Sequence, residues 1–118
     1  MIARSLVAAA WLLLFSGFAS AQDIGGKYRV EGTNFDGSRY TGVAAIKVTS
    51  KSTCNIAWDT GSTAKGICMR NGSSFAASYV MGDAIGLVIY RINSDGTLEG
   101  LWTVAGEDGV GTEKLIPE

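Results

Sequence analysis

The residues able to do chemistry in this chain are few, and one type is missing: there is no histidine. Its absence excludes Ser-His-Asp triads, Cys-His dyads and the commonest metal ligand together. What remains is carboxylates, lysines and tyrosines. Asp36, Asp59, Asp83, Asp95, Glu99, Glu107, Asp108 and Glu113 are the candidate acids, and most fall in or beside turn sequences, where Asp satisfies backbone donors. Two convergent carboxylates suffice for glycoside hydrolysis, but no spacing here singles out a pair. A carboxylate-based hydrolase is therefore the third choice of function. No catalytic residue is assigned. Asn93-Ser94-Asp95-Gly96 and Glu107-Asp108-Gly109 offer oxygen ligands without the twelve-residue calcium-loop pattern, so no metal site and no cofactor are expected. Asn71-Gly72-Ser73 matches a glycosylation sequon and equally an ordinary hairpin turn.

The two cysteines, Cys54 and Cys68, belong to a different chemistry. If the chain turns around Gly61, antiparallel pairing sets 54 opposite 68, 56 opposite 66 and 58 opposite 64. The thiols then meet across one hairpin as a structural disulfide. A reactive dithiol would favour a C-x-x-C spacing, which is absent. The aromatic side chains are the other candidates. Trp58, Tyr90 and Trp102 have the parity of inward faces, either as core or as the lining of a barrel mouth that binds a ligand. Gly66, Gly86 and Gly100 share those faces and leave room for a small apolar group.

These residues must be positioned by strands. Apolar alternation and turn signals mark eight candidates: 27–33, 39–49, 53–59, 64–70, 74–81, 84–92, 97–105 and 110–116. Asn-Gly and Asp-Gly steps punctuate them, since those residues tolerate the positive φ that tight hairpins demand. Every connection is short, so neighbours are antiparallel. A meander of this kind closes most simply into an up-and-down, lipocalin- or avidin-like barrel, with a two-sheet sandwich as the alternative. The segment 84–92 is apolar on both faces, with Ile85, Leu87 and Ile89 on one and Val88, Tyr90 and Ile92 on the other. A covering subunit, as in a homodimer, is one explanation.

Export is read from the N-terminus. Arg4 precedes the apolar run from Leu6 to Phe15, and Ala19-Ser20-Ala21 supplies a cleavage site, so residues 1–21 read as a secretory signal peptide and 22–118 as one mature domain. The residue after the cut is Gln22 rather than Cys, which gives no lipid anchor. A periplasmic or secreted protein follows, in a compartment where disulfides persist. The net charge of −1, more negative by one once Arg4 is removed, and the interspersed signs give no support for nucleic acid or anionic membrane binding.

Two resemblances add to this. Asn34-Phe35-Asp36-Gly37-Ser38 resembles the Asn-x-x-Gly-Ser segment of the avidin family, where Asn and Ser hydrogen-bond the biotin ureido group at the first hairpin of an eight-stranded barrel. The same residues also make a plain turn, and Asp36-Gly37-Ser38 has an echo in Asp95-Gly96-Thr97. Over nearly all of residues 25–116, the chain resembles small exported bacterial proteins labelled fibronectin-binding protein. That resemblance rests on Glu31-Gly32-Thr33-Asn34 with Asp36-Gly37-Ser38, Tyr40 and Gly42, on Gly66-Ile67-Cys68-Met69, on Gly96 through Thr103, and on Gly111-Thr112-Glu113-Lys114-Leu115. It implies a non-enzymatic binding protein with a fibronectin-like protein partner; a carrier of small apolar ligands is the alternative.

Overall fold

The computed structural model describes residues 23–118; the leader predicted over 1–21 lies outside them. Eight strands follow one another: β1 (Gly26–Thr33), β2 (Arg39–Val48), β3 (Thr53–Asp59), β4 (Thr63–Asn71), β5 (Ser74–Met81), β6 (Ala84–Ile92), β7 (Leu98–Val104) and β8 (Gly111–Pro117). Each pairs antiparallel with the next, and β1 also pairs with β8, from Tyr28 opposite Pro117 to Thr33 opposite Thr112. This last pairing makes the sheet a closed barrel, and the sandwich alternative is thereby set aside. It also leaves no unpaired edge for a partner strand to extend.

Inward and outward residues alternate along every strand, as the pleat requires. One end of the barrel is filled. Ile24, Tyr28, Phe75, Tyr90, Ile92, Leu98 and Leu115 are all buried there, with Phe75 stacked on Tyr90 at 5.1 Å and the Tyr28 hydroxyl donating to the Ile24 carbonyl at 2.6 Å. Cys54 and Cys68 sit opposite each other in β3 and β4 and are joined by a disulfide, with Cα atoms 4.9 Å apart. Both sulfur-bearing side chains face the core, so the bond staples the floor of the barrel from within. A buried disulfide is chemistry of an oxidising compartment. No helix among the described residues is long and apolar enough to cross a membrane.

The outer surface is divided. Across β4 to β7 it carries Ile67, Met69, Val80, Ile85, Leu87, Ile89 and Leu101, each about half exposed or more. Register places Met69, Ala76, Ile89 and Leu101 in one row and Ile67, Ser78 and Leu87 in the next, so the apolar residues are contiguous. The outer faces of β1, β2 and β8 carry Arg29, Glu31, Lys47 and Lys114 beside the exposed Val43, and Lys65, Arg91 and Glu99 lie on the outer faces of β4, β6 and β7. The two apolar faces of 84–92 are thus one core face and one solvent face.

The disulfide closes a loop with a sequence separation of 14. Constraining a loop of that length in the unfolded chain contributes about 3 kcal/mol. Urea titration of the Cys54→Ala/Cys68→Ala double variant is expected to show unfolding free energy lower by about that amount, with the native far-UV spectrum retained.

Candidate functional site

The other end of the barrel is open. A cavity of about 430 Å3 enters between the β1–β2, β3–β4, β5–β6 and β7–β8 connections, and its wall is largely aromatic: Phe35, Tyr40, Trp58, Tyr79 and Trp102. Met81, Val88 and Val104 add apolar surface, and Asn34, Thr60 and Ser62 give the rim hydrogen-bonding groups. No lysine or arginine borders it among the described residues.

Its floor is a carboxylate. Glu113 projects inward from β8 between Gly111 and Leu115 and is only 8% exposed. Three neutral donors from three other strands converge on it. The Tyr40 hydroxyl donates to Oε1 at 2.8 Å, and the Trp58 indole N–H donates to Oε2 at 3.0 Å. The Tyr90 hydroxyl donates to the same Oε2. An indole N–H can only donate, so Oε2 is held as an acceptor. The ion pairs among the described residues, Arg29 with Glu31 and Lys114 with Glu99, lie on the outer surface. Neither reaches Glu113. The carboxyl group is therefore met by neutral donors alone.

Small residues make the geometry feasible. In the ladder, Glu113 lies opposite Gly32 of β1 and Gly100 of β7. A Cβ at residue 32 would fall 2.3 Å from Tyr40 Cζ, and one at residue 100 would fall 2.7 Å from Tyr90 Cδ1. The two tyrosines can reach the carboxylate because its ladder neighbours lack side chains. The same device repeats higher in the wall, where Tyr79 lies over Gly86 and Trp102 over Gly111, each ring covering the glycine directly across the ladder. The space expected at Gly86 and Gly100 is thus occupied by tyrosine rings, and at Gly66 by the Ser78 carbonyl. The cavity lies above them.

The rings also hold one another. Phe35, from the β1–β2 turn, stacks on Trp102 at 4.7 Å, Tyr40 meets Trp102 edge-on at 6.3 Å, and Trp58 meets Tyr79 at 5.3 Å with an interplanar angle of 61°. The Trp102 indole donates to the Thr112 carbonyl at 3.2 Å and the Tyr79 hydroxyl to the Thr103 carbonyl at 3.3 Å.

Of the three aromatic residues singled out in the sequence, Trp58 and Trp102 line the cavity, while Tyr90 lies beneath it with 1% exposure and meets the site through Glu113. Glu107 stands on the exposed rim and Glu113 on the floor; the other candidate acids lie outside the cavity lining. No cluster of potential metal ligands occurs among the described residues. Asn34, Asp36 and Ser38, the avidin-like segment, bond to one another: Asn34 Nδ2 donates to Ser38 Oγ at 3.1 Å, and Ser38 Oγ donates to Asp36 Oδ1 at 2.6 Å. Asn93, Asp95 and Thr97 repeat this pattern at 3.0 Å and 2.6 Å at the filled end of the barrel. The segment is a turn type that the chain uses twice.

No family model matches the chain, and no curated protein matches it. Solved structures do. A redesigned β-barrel matches with a TM-score of 0.72 at 17% identity, covering 80% of this chain and 91% of that one. A second redesigned barrel, bound to DFHBI, matches at 0.69 and 20% identity, covering 79% of this chain and 94% of that one. The fatty acid binding protein of Schistosoma mansoni, in complex with arachidonic acid, matches at 0.54 and 13% identity, covering 85% of this chain and 99% of that one. At these identities the likeness is one of fold.

The site has a signature at high pH. Burial first, then the charge of Glu113 and the bond to it, pushes the Tyr40 hydroxyl far above its ordinary 10.0. Burial first and Glu113 second also raise Tyr79 and Tyr90, and burial followed by Asp23 raises Tyr28. These are all four tyrosines of the chain. Below pH 10 the folded and unfolded chains both keep these protons; above it the unfolded chain releases them and the folded chain does not, so stability falls as pH rises. An alkaline titration is expected to show tyrosinate absorbance appearing together with loss of the β spectrum. Tyrosinate in a chain that still gives the native spectrum would contradict this network.

Proposed function

We propose that this protein is a non-enzymatic binding barrel, periplasmic or secreted, that holds a small amphipathic molecule in its open mouth. The observation that carries the reading is the combination of an aromatic cavity of about 430 Å3 with a single buried polar group at its floor. Ligand sites are commonly concave, mostly apolar and fitted with a few placed polar groups, and 300–1,000 Å3 is about their usual size. Barrels of this fold bound to DFHBI and to arachidonic acid support it by analogy of architecture. Glu113 suits binding better than hydrolysis, because a carboxylate fixed as the acceptor of three bonds serves as a counter-charge rather than as a proton donor. Native mass spectrometry of the protein purified from its own compartment is expected to show an extra mass that is lost on denaturation. Trp102→Ala, which removes one wall and the Phe35 stack, is expected to abolish that mass while the protein remains folded.

A second reading, contact with a protein partner such as fibronectin or a second copy, draws on the contiguous apolar outer face of β4 to β7. Closure of the barrel removes strand addition as a route, so this face is where such a partner would seat. Leu87→Glu/Ile89→Glu is expected to abolish fibronectin capture and any self-association seen by sedimentation. The cavity is left unchanged by these outward substitutions.

A further inference from the structure

We propose that the molecule taken into the mouth is a protonated amine carrying an apolar or aromatic body, with its ammonium group on Glu113. The inference rests on the reading of the mouth as a ligand site and specifies the chemistry of what enters it.

The argument begins with charge. Glu113 is buried, accepts three hydrogen bonds and has no cationic partner among the described residues, and the cavity above it contains no lysine or arginine. A carboxylate has about four lone-pair positions. Tyr40 takes one on Oε1, while Trp58 and Tyr90 take both on Oε2. One position on Oε1 remains. Since Glu113 itself borders the cavity, a donor entering from the mouth can use it. A charged N–H donor gains most there, because bonds to ionised groups are about twice as strong as neutral ones and the low-dielectric wall screens the pair little.

The wall around that position agrees. Trp58 and Tyr79 meet edge-to-face at 61°, and Tyr40 and Trp102 meet edge-on beside them, so the wall around Glu113 is built of aromatic rings. Aromatic faces attract cations, most strongly when water is excluded. A second carboxylate, Glu107, stands on the rim and adds to the negative field at the entrance. An anionic ligand meets the opposite situation. A fatty acid, the ligand of the Schistosoma barrel, would set its carboxylate against Glu113 with no basic side chain to receive it. A neutral ligand would fill the rings without using the charge.

Phenethylamine, phenethyl alcohol and phenylacetate share one skeleton and differ in the charge of the head group, so isothermal titration calorimetry with the three tests the assignment on the unmodified protein. The amine is expected to bind about tenfold or more tighter than the alcohol, with phenylacetate weakest. Glu113→Gln keeps the shape and removes the charge, and is expected to bring amine and alcohol to within about twofold of each other. The wild-type ranking stands on its own if that variant does not fold. Equal binding of amine and alcohol, tighter binding of phenylacetate, or an amine preference that survives in Glu113→Gln would overturn the assignment while leaving the mouth a ligand site. Binding of none of the three would overturn both.

Discussion

A single buried carboxyl group organises the interior of this barrel. Glu113 is surrounded by apolar and aromatic side chains, where an ionised group is costly unless its lone pairs are met. They are met by Tyr40, Trp58 and Tyr90, from β2, β3 and β6, while Glu113 comes from β8. Four of eight strands are thereby tied to one point. Each donor is amphipathic, with a ring that packs and a polar tip that points inward, so the network and the core are built from the same side chains. Removing the acceptor would leave a buried indole and a buried phenol without a partner, at about 1–3 kcal/mol each.

That network separates the barrel into two halves. Below it the rings and aliphatic chains fill the interior; above it the rings stand apart and leave a cavity. The boundary follows from side-chain size along the ladders. Tyr79 and Trp102 are set against glycines and lie flat on the wall, which lines the mouth without blocking it. Larger residues at Gly86 or Gly111 would push those rings into the lumen.

Much of this was legible in the residues, and what was not has a common cause. Strand limits followed from turn chemistry to within a residue or so, as at Arg39, Thr53 and Ser74, because positive-φ glycines at 37, 61, 72, 82, 96 and 106 punctuate the chain. The Cys54–Cys68 pairing followed from one hairpin's register. Both are local. Glu113 stood among the candidate acids without distinction, since its partners lie 23, 55 and 73 residues away. One signal existed: it sits at the inward parity of its strand, between Gly111 and Leu115, where a charge is out of place. Tyr40, Tyr79 and Phe35 were likewise not among the aromatic candidates for the mouth, because what places them is a cross-strand glycine or a stacking partner and not their own spacing. The choice between barrel and sandwich rested on β1 meeting β8, which no short-range pattern encodes.

The order of the strands gives that meeting a temporal meaning. Every pairing except one joins neighbours in the chain, and so can form from a hairpin as soon as its second strand exists; the seam between β1 and β8 must wait for the chain's far end. β8 is also the strand that brings Glu113. In a chain made from its N-terminus, the strand that closes the wall is thus also the one that brings the carboxyl group to its set of donors, after β2, β3 and β6 have supplied Tyr40, Trp58 and Tyr90. The floor of the cavity is completed only with the last strand.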